Sequence, residues 1–146
     1  MILRPATSHD APAIAAILRT CFRVSLPFLP ELHTPDEDLA YVSGCLLVND
    51  TVWVAEVGGA VVGYVGFRSD WIDHLYIHPV RQGQGIGPAL LAKALEDGRP
   101  KQLWAFQQNT RARRFYETHG FRAVEFTDGS GNEEKTPDVR YVWDGR

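Results

Sequence analysis

Residues 75–87 read LYIHPVRQGQGIG, an apolar strand pattern that passes through a proline into three closely spaced glycines. Pro88 and an apolar helical pattern follow directly. A glycine-rich turn at a helix N-terminus presents free backbone N–H groups beside the positive end of the helix dipole. Glycine has no Cβ to keep a phosphate away, and it tolerates positive φ. The stretch therefore predicts a phosphate-binding turn between a strand and a helix.

Two common phosphate motifs do not fit this turn. A P-loop ends in Gly-Lys-Ser/Thr, whereas Gly87 is followed by Pro88 and Ala89. A dinucleotide-binding fingerprint needs its third glycine two residues after Gly87 and an acidic residue at the end of the next strand, and neither is found. The glycines by themselves also fit a tight strand-to-helix turn that binds nothing.

The elements around the turn predict a mixed α/β fold. Gly58-Gly59 separates two runs rich in β-branched and aromatic residues, which is a strong hairpin signal. The strand–helix–strand unit over 71–107 implies parallel pairing of its strands, and hairpins flank it. We expect strands at 2–4, 51–57, 60–67, 71–78, 101–107, 121–126 and 139–143, and helices at 7–22, 34–49, 88–96 and 109–119. Residues 1–146 form a single domain in this interpretation.

Composition narrows the class of protein. The formal net charge of −3 argues against a non-specific nucleic-acid binder, which normally carries a basic surplus. The chain has no uninterrupted apolar run of about 18 residues, so we expect no membrane contact. Cys21 and Cys45 lie in apolar stretches and are expected to be buried free thiols rather than a disulfide. A reducing, cytoplasmic location is the default expectation.

Two motifs carry a family resemblance. Leu75-Tyr76-Ile77-His78-Pro79 followed by Gln82-x-x-Gly85-x-Gly87 resembles the acyl-CoA signature of the GNAT superfamily of N-acetyltransferases. The later run Asn109-x-x-Ala112-x-x-Phe115-Tyr116-x-x-x-Gly120-Phe121 resembles the closing motif of the same family. The order of the elements also matches over essentially the whole chain. The resemblance implies a mostly antiparallel sheet with a splayed parallel strand pair at the acyl-CoA site, flanked by about four helices.

The resemblance implies acetyl-CoA as co-substrate, with no metal, and assigns residues to it. Backbone amides of Gln82, Gly83, Gln84, Gly85, Ile86 and Gly87 would hold the pyrophosphate. The backbone of Leu75, Tyr76 and Ile77 would pair with the pantetheine arm, and Asn109, Ala112 and Phe115 would lie beside it. Arg114 or Arg111 is expected at the phosphates, although both also fit a solvated helix face. Pro88 departs from the pattern because it cannot donate an N–H.

The implied reaction is direct transfer of acetyl to an amine, with Tyr116 close to the sulfur as general acid. By residue type alone, Tyr116 also fits a packed core aromatic. The base is open: Asp73 and His74 are the first candidates, but neighbouring strand residues face opposite sides, so both cannot point at the acceptor. Loop glutamates (Glu31, Glu133 and Glu134) or a water chain are alternatives. His74 and His78 are roughly 13 Å apart along a strand, too far for one metal ion.

The acceptor is expected to be a primary amine of a small molecule or peptide, and the resemblance suggests a homodimer. Its specificity should come from the loop at 23–35, the second helix and the loop at 128–137. Two other functions fit the same turn. One is an acyl-CoA-binding sensor or partner subunit without catalysis, and the other is a nucleotide-binding regulator.

Overall fold

The computed structural model describes residues 1–146, which form two antiparallel sheets. The first sheet has the order β1-β2-β3-β4. Its strands are β1 (Ile2–Pro5), β2 (Thr51–Val57), β3 (Ala60–Phe67) and β4 (Ile72–Ile77). Gly58 and Gly59, at φ 60° and 80°, make the predicted hairpin turn between β2 and β3.

The second sheet has the order β5-β7-β6, again antiparallel. Its strands are β5 (Lys101–Phe106), β6 (Arg122–Phe126) and β7 (Asp138–Trp143). The C-terminal strand β7 thus inserts between β5 and β6. The predicted mixed α/β fold is confirmed, with strand boundaries within one or two residues of those expected.

The two sheets meet at one point. A single parallel bridge joins Trp71 to Gln102, and the Gln102 N–H donates to the Asp70 carbonyl at 2.9 Å. Beyond it, β4 and β5 share no backbone hydrogen bonds, and a cavity of about 70 Å³ lies between them. The parallel strand pair predicted here is therefore limited to one bridge. The other edge of β5 is paired with β7, so β5 belongs to a separate sheet.

A buried lysine secures this junction. Lys101 at the start of β5 is fully buried, and its Nζ donates to the Ser69 carbonyl at 2.7 Å and to both Asp97 carboxylate oxygens at 3.0 Å. A buried ammonium is tolerated only when its donors are satisfied in this way. Lys101 therefore fixes the loop before β4 and the end of the preceding helix against the start of β5.

Four helical segments cover the sheets. The first is α1 (Ala11–Ser25). The second is continuous over residues 35–49 and consists of α2 (Pro35–Tyr41), a π-helical turn (Val42–Leu46) and α3 (Leu47–Asn49). The third and fourth are α4 (Ile86–Ala94) and α5 (Thr110–Thr118). The helix predicted from Pro88 begins two residues earlier, because Gly85 at φ 82° is its N-cap. None of the helices is both long and apolar enough to cross a membrane.

The first sheet separates two apolar cores. On one face, Ile14 and Ile17 of α1 pack with Val42, Val54 and Tyr64. On the other, α4, α5 and the second sheet form a core from Leu90, Leu91, Leu103, Tyr116 and Tyr141. Of the two cysteines, both free, Cys21 is buried as predicted but Cys45 is exposed. The π-helical turn buries Val42 and Leu46 and leaves Cys45 off that face.

The loop between β6 and β7 is held rigidly by its own polar groups. Asn132 Nδ2 donates to the Thr136 carbonyl at 2.7 Å and to Asp138 at 3.1 Å, while its Oδ1 accepts from the Thr136 N–H. Gly129 has φ 84° and lies against the backbone of Thr136. This loop therefore has one tightly packed geometry.

We expect Gly129→Ala to destabilise the fold by roughly 1–3 kcal/mol, or about 3–10 °C in Tm. An added Cβ would overlap the Thr136 backbone at a positive φ that alanine disfavours. The matched control is Gly131→Ala in the same loop, where a Cβ meets nothing within 4 Å. Thermal unfolding by circular dichroism checks this, and equal Tm values for the two variants would contradict it.

Candidate active site

A cleft of about 570 Å³ lies between the free edge of β4, the glycine-rich turn and α5. We call it the glycine cleft. It brings together most of the residues that the sequence nominated, although they come from three separate elements. Its lining comprises Cys21, Ser25, Leu26, Leu75, Tyr76, Ile77, Arg81, Gln82, Gly83, Gly85, Gly87, Pro88, Asn109, Arg111, Ala112, Phe115 and Tyr116.

The turn at one end of the cleft presents unpaired backbone donors. Gly83 and Gly85 adopt φ values of 80° and 82°, and a Cβ at either position would meet open space. None of the N–H groups of residues 83–87 finds an acceptor within the chain. Because α4 begins at Ile86, these donors lie at the positive end of its dipole. The arrangement can bind a phosphate group through backbone alone.

The edge of β4 that faces the cleft is also unpaired. The His78 N–H donates to Val62 of β3, so His78, Tyr76 and His74 direct their backbone groups toward β3. Leu75 and Ile77 direct theirs toward the cleft. The Ile77 carbonyl accepts from the Cys21 thiol at 3.2 Å there. An extended ligand arm with amide groups can therefore pair with β4 as an additional strand.

Helix α5 forms the opposite wall. Asn109 caps it, with Oδ1 accepting from the Ala112 N–H at 3.2 Å. The Phe115 ring packs so close to Gly87 that a Cβ there would lie 3.4 Å from it. The packing of these two residues sets the distance between α5 and the start of α4.

Three of the residues nominated for the co-substrate are not brought to the cleft lining. The side chain of Ile86 is buried in the core, Gln84 is exposed, and Arg114 is exposed on α5 away from the cleft. Arg111 lines the cleft instead, one helical turn before Phe115, together with Arg81. Neither Arg81 nor Arg111 has an ion-pair partner in the chain. The mouth of the glycine cleft is therefore cationic.

Tyr116 lies at the inner end of the cleft. Its ring packs at 5.3 Å from Phe115 and 5.5 Å from Phe121, and the residue is 8% exposed. Its hydroxyl makes no hydrogen bond within the chain. Burial raises the pKa of Tyr116 above the ordinary value of a phenol, so it stays protonated at neutral pH. It is a proton donor without a partner.

A second pocket, of about 530 Å³, lies on the other face of β4. We call it the acidic pocket. It meets the glycine cleft at Tyr76 and Leu26, which line both. Its lining comes from α1, the loop after it, α2, β4 and the loop between β6 and β7: Leu18, Arg19, Phe22, Arg23, Leu26, Pro27, Leu29, Pro30, Glu31, Leu32, His33, Asp38, Tyr41, Asp73, His74, Tyr76, Phe106, Glu133 and Glu134.

His74 lies in the wall of the acidic pocket with both ring nitrogens engaged. Tyr41 Oη is 2.9 Å from Nε2, and Tyr64 Oη is 3.0 Å from Nδ1. Burial lowers the pKa of His74 to about 4, so the imidazole is neutral at pH 7. A neutral imidazole donates from one nitrogen and accepts at the other, which matches one hydroxyl on each side. The geometry makes His74 a rigid part of the wall.

Asp73 is engaged by an arginine. Arg68 donates to both Asp73 oxygens at 2.7 and 2.8 Å. Burial opposes the Asp73 charge most strongly, but hydrogen bonding with Arg68 and Asp50, together with the charge of Arg68, lowers the pKa of Asp73. Behind this pair, Asp50 is buried, and its Oδ2 has no donor. Burial, together with the Asp73 carboxylate, raises the pKa of Asp50 to about 7. A proton shared between the two acids would supply the missing donor.

Several residues that shape the site carry no local sequence signal for that role. Cys21, Leu26 and Arg81 line the glycine cleft, and Tyr41 and Tyr64 hold His74. Each reaches the site through tertiary packing rather than through a local motif. The structure contains no group of three or more histidine, cysteine or acidic side chains placed to bind a metal ion.

Comparison with known proteins matches these features to one family. A model of the acetyltransferase (GNAT) domain matches residues 48–123. An uncharacterized N-acetyltransferase of Archaeoglobus fulgidus is 37% identical over 101 residues, covering 58% of this chain and 68% of that protein. A protein of Mycobacterium tuberculosis named as a probable N-acetyltransferase is 36% identical over 139 residues, covering 82% of this chain and 78% of the other.

The fold is shared with solved structures as well. The crystal structure of the PaiA N-acetyltransferase of Thermoplasma acidophilum, in complex with coenzyme A, superposes with a TM-score of 0.78. The two chains are 18% identical, and the superposition covers 98% of each. At 18% identity, the similarity between the two chains shows a shared fold and nothing further.

We expect Asp50→Asn to raise Tm at pH 8 by roughly 3 °C or more, with a smaller rise at pH 5. The pKa of Asp50 is raised in the folded state, so its stabilising contribution is complete below about pH 4 and lost as pH rises through about 7. Asparagine stays neutral and can donate to Asp73. Melting curves at both pH values check this, and a variant less stable at pH 8 than the parent would contradict it.

Proposed function

This chain belongs to the GNAT acetyltransferase family, and we propose that it transfers the acetyl group of acetyl-CoA directly to a primary amine of a small molecule or peptide. One observation carries the proposal. The free N–H groups of residues 83–87 and the unpaired edge of β4 share the glycine cleft, and Tyr76 also lines a separate pocket of opposite charge. An anionic donor and a cationic acceptor fit that arrangement.

In this proposal, the turn binds the pyrophosphate through backbone N–H groups, and Arg81 and Arg111 add positive charge at the mouth. The pantetheine arm pairs with Leu75 and Ile77 along the open edge of β4. Asn109, Ala112 and Phe115 form the facing wall. The side chains of Gln84 and Ile86 do not contact the co-substrate in this proposal, and Arg111 rather than Arg114 lies near its phosphates.

Acetyl-CoA supplies the activated thioester, and the chain supplies the groups around it. The amine nitrogen forms a bond to the thioester carbon while the carbon–sulfur bond breaks. The nitrogen releases one proton to solvent water, and the departing thiolate takes a proton. We assign that proton to the Tyr116 hydroxyl, which faces the cleft unpaired. The Ile77 N–H points to the same edge and is suited to stabilise the negative charge on the carbonyl oxygen.

His74 and Asp73 act as positioning residues in this proposal. His74 is held between two tyrosine hydroxyls, and Asp73 is held by Arg68. A base with a pKa of about 4 is poorly matched to proton transfer from an amine near neutral pH. Both residues therefore shape the wall against which the acceptor lies.

Acetyl-CoA should raise Tm by roughly 5–10 °C at 100 times its Kd, and Gly85→Glu should abolish that shift. The new carboxylate would fill the phosphate site and force a side chain into a positive φ. Gly44→Glu is the matched control, because Gly44 has open space around it and does not line the cleft. A shift retained in Gly85→Glu would remove the turn from the binding site.

Tyr116→Phe should lower kcat for thiol release from acetyl-CoA by roughly 100-fold while leaving the acetyl-CoA shift in Tm intact. Only the hydroxyl that protonates the leaving thiolate is removed. Tyr141→Phe is the control, since the Tyr141 ring packs at 6.3 Å from Tyr116 but does not line the cleft. Unchanged kcat in Tyr116→Phe would exclude Tyr116 as the acid.

A further inference from the structure

The acidic pocket is lined by five carboxylates, of which four have a partner within the chain. Asp38 pairs with Arg19 at 3.1 Å, Glu31 with Arg23 at 2.7 Å, Glu133 with His33 at 2.5 Å, and Asp73 with Arg68 at 2.7 Å. The fifth, Glu134, forms no ion pair, and its carboxylate accepts no hydrogen bond within the chain. One negative charge in the pocket is left without a partner.

Glu134 is held in a fixed position. It lies in the rigid loop between β6 and β7, half-buried, and lines the pocket together with Tyr76 and Phe106. The following residue, Lys135, has φ 52° and is the only non-glycine residue with positive φ. Tyr76 is where the pocket meets the glycine cleft.

The pocket has no free cation to balance an additional negative charge. Arg19, Arg23 and His33 are each paired with an acid, and His74 is a neutral imidazole. A carboxylate entering the pocket would therefore meet Glu134 as a like charge. The rest of the wall is largely apolar, contributed by Leu18, Phe22, Leu26, Leu29, Leu32 and Phe106.

Resting on the proposed function, we propose that the acceptor is a primary amine on an apolar stem, with no carboxylate on the carbon next to the amine. Glu134 binds its ammonium group beside Tyr76, and the apolar wall receives the stem. A half-buried carboxylate without a counter-charge gains from pairing with such a cation, because the pocket screens the charge less than water does.

Matched acceptors that differ only in one carboxylate test this directly. Thiol release from acetyl-CoA is measured with phenethylamine against phenylalanine, and with 3-methylbutylamine against leucine. We expect kcat/KM to be at least about 10-fold higher for each amine than for its amino acid. Equal or higher kcat/KM for the amino acids would overturn the inference and leave acetyl transfer itself intact. No thiol release with any of the four, despite an acetyl-CoA shift in Tm, would also overturn the inference about the acceptor.

A pair of variants tests the role of Glu134. Glu134→Gln should raise KM for phenethylamine and lower kcat/KM about 10- to 100-fold, with the acetyl-CoA shift in Tm unchanged. Glu125→Gln removes the same charge from β6, where Glu125 pairs with Arg140 outside the pocket, and should leave KM unchanged. Equal KM values for Glu134→Gln and the parent would overturn the assignment of Glu134.

Discussion

The site depends on the separation of β4 from β5 after a single bridge. Lys101 and the Trp71–Gln102 bridge hold the two strands together at their start, and nothing pairs them afterward. Unpaired backbone groups at a sheet edge ordinarily need a partner. Here the groups of Leu75 and Ile77 face a cleft that ends at the free N–H groups of residues 83–87. One break in the sheet thus creates a binding edge next to Tyr76, which lines both pockets.

The two pockets differ in charge in a way that suits two different ligands. The glycine cleft carries a helix N-terminus, with Arg81 and Arg111 free at its mouth. The acidic pocket has its cations paired and keeps Glu134 free. Tyr76 lines both pockets, and Tyr116 lines the glycine cleft. A phosphate-bearing donor and a cationic acceptor would be drawn to opposite sides of β4, with their reacting groups near its edge.

Local signals were enough to predict the elements and the glycine-rich turn before α4, since the strand pattern, proline and glycines of residues 75–87 act within a few residues of one another. The start of α4 was misplaced because Pro88 suggests a first helical position, whereas Gly85 at φ 82° caps the helix. The surroundings of His74 were not predictable, because Tyr41 and Tyr64 reach it only in the folded chain. Nor does the sequence indicate that Glu133 pairs with His33 and that its neighbour Glu134 stays free.

A crystal structure with bound acetyl-CoA tests the central claim most directly. The account predicts pyrophosphate oxygens about 2.7–3.2 Å from backbone nitrogens within residues 83–87. It also predicts the pantetheine arm along β4, hydrogen-bonded to the backbone of Leu75 and Ile77. A ligand bound elsewhere, with the 83–87 amides exposed only to water, would contradict it.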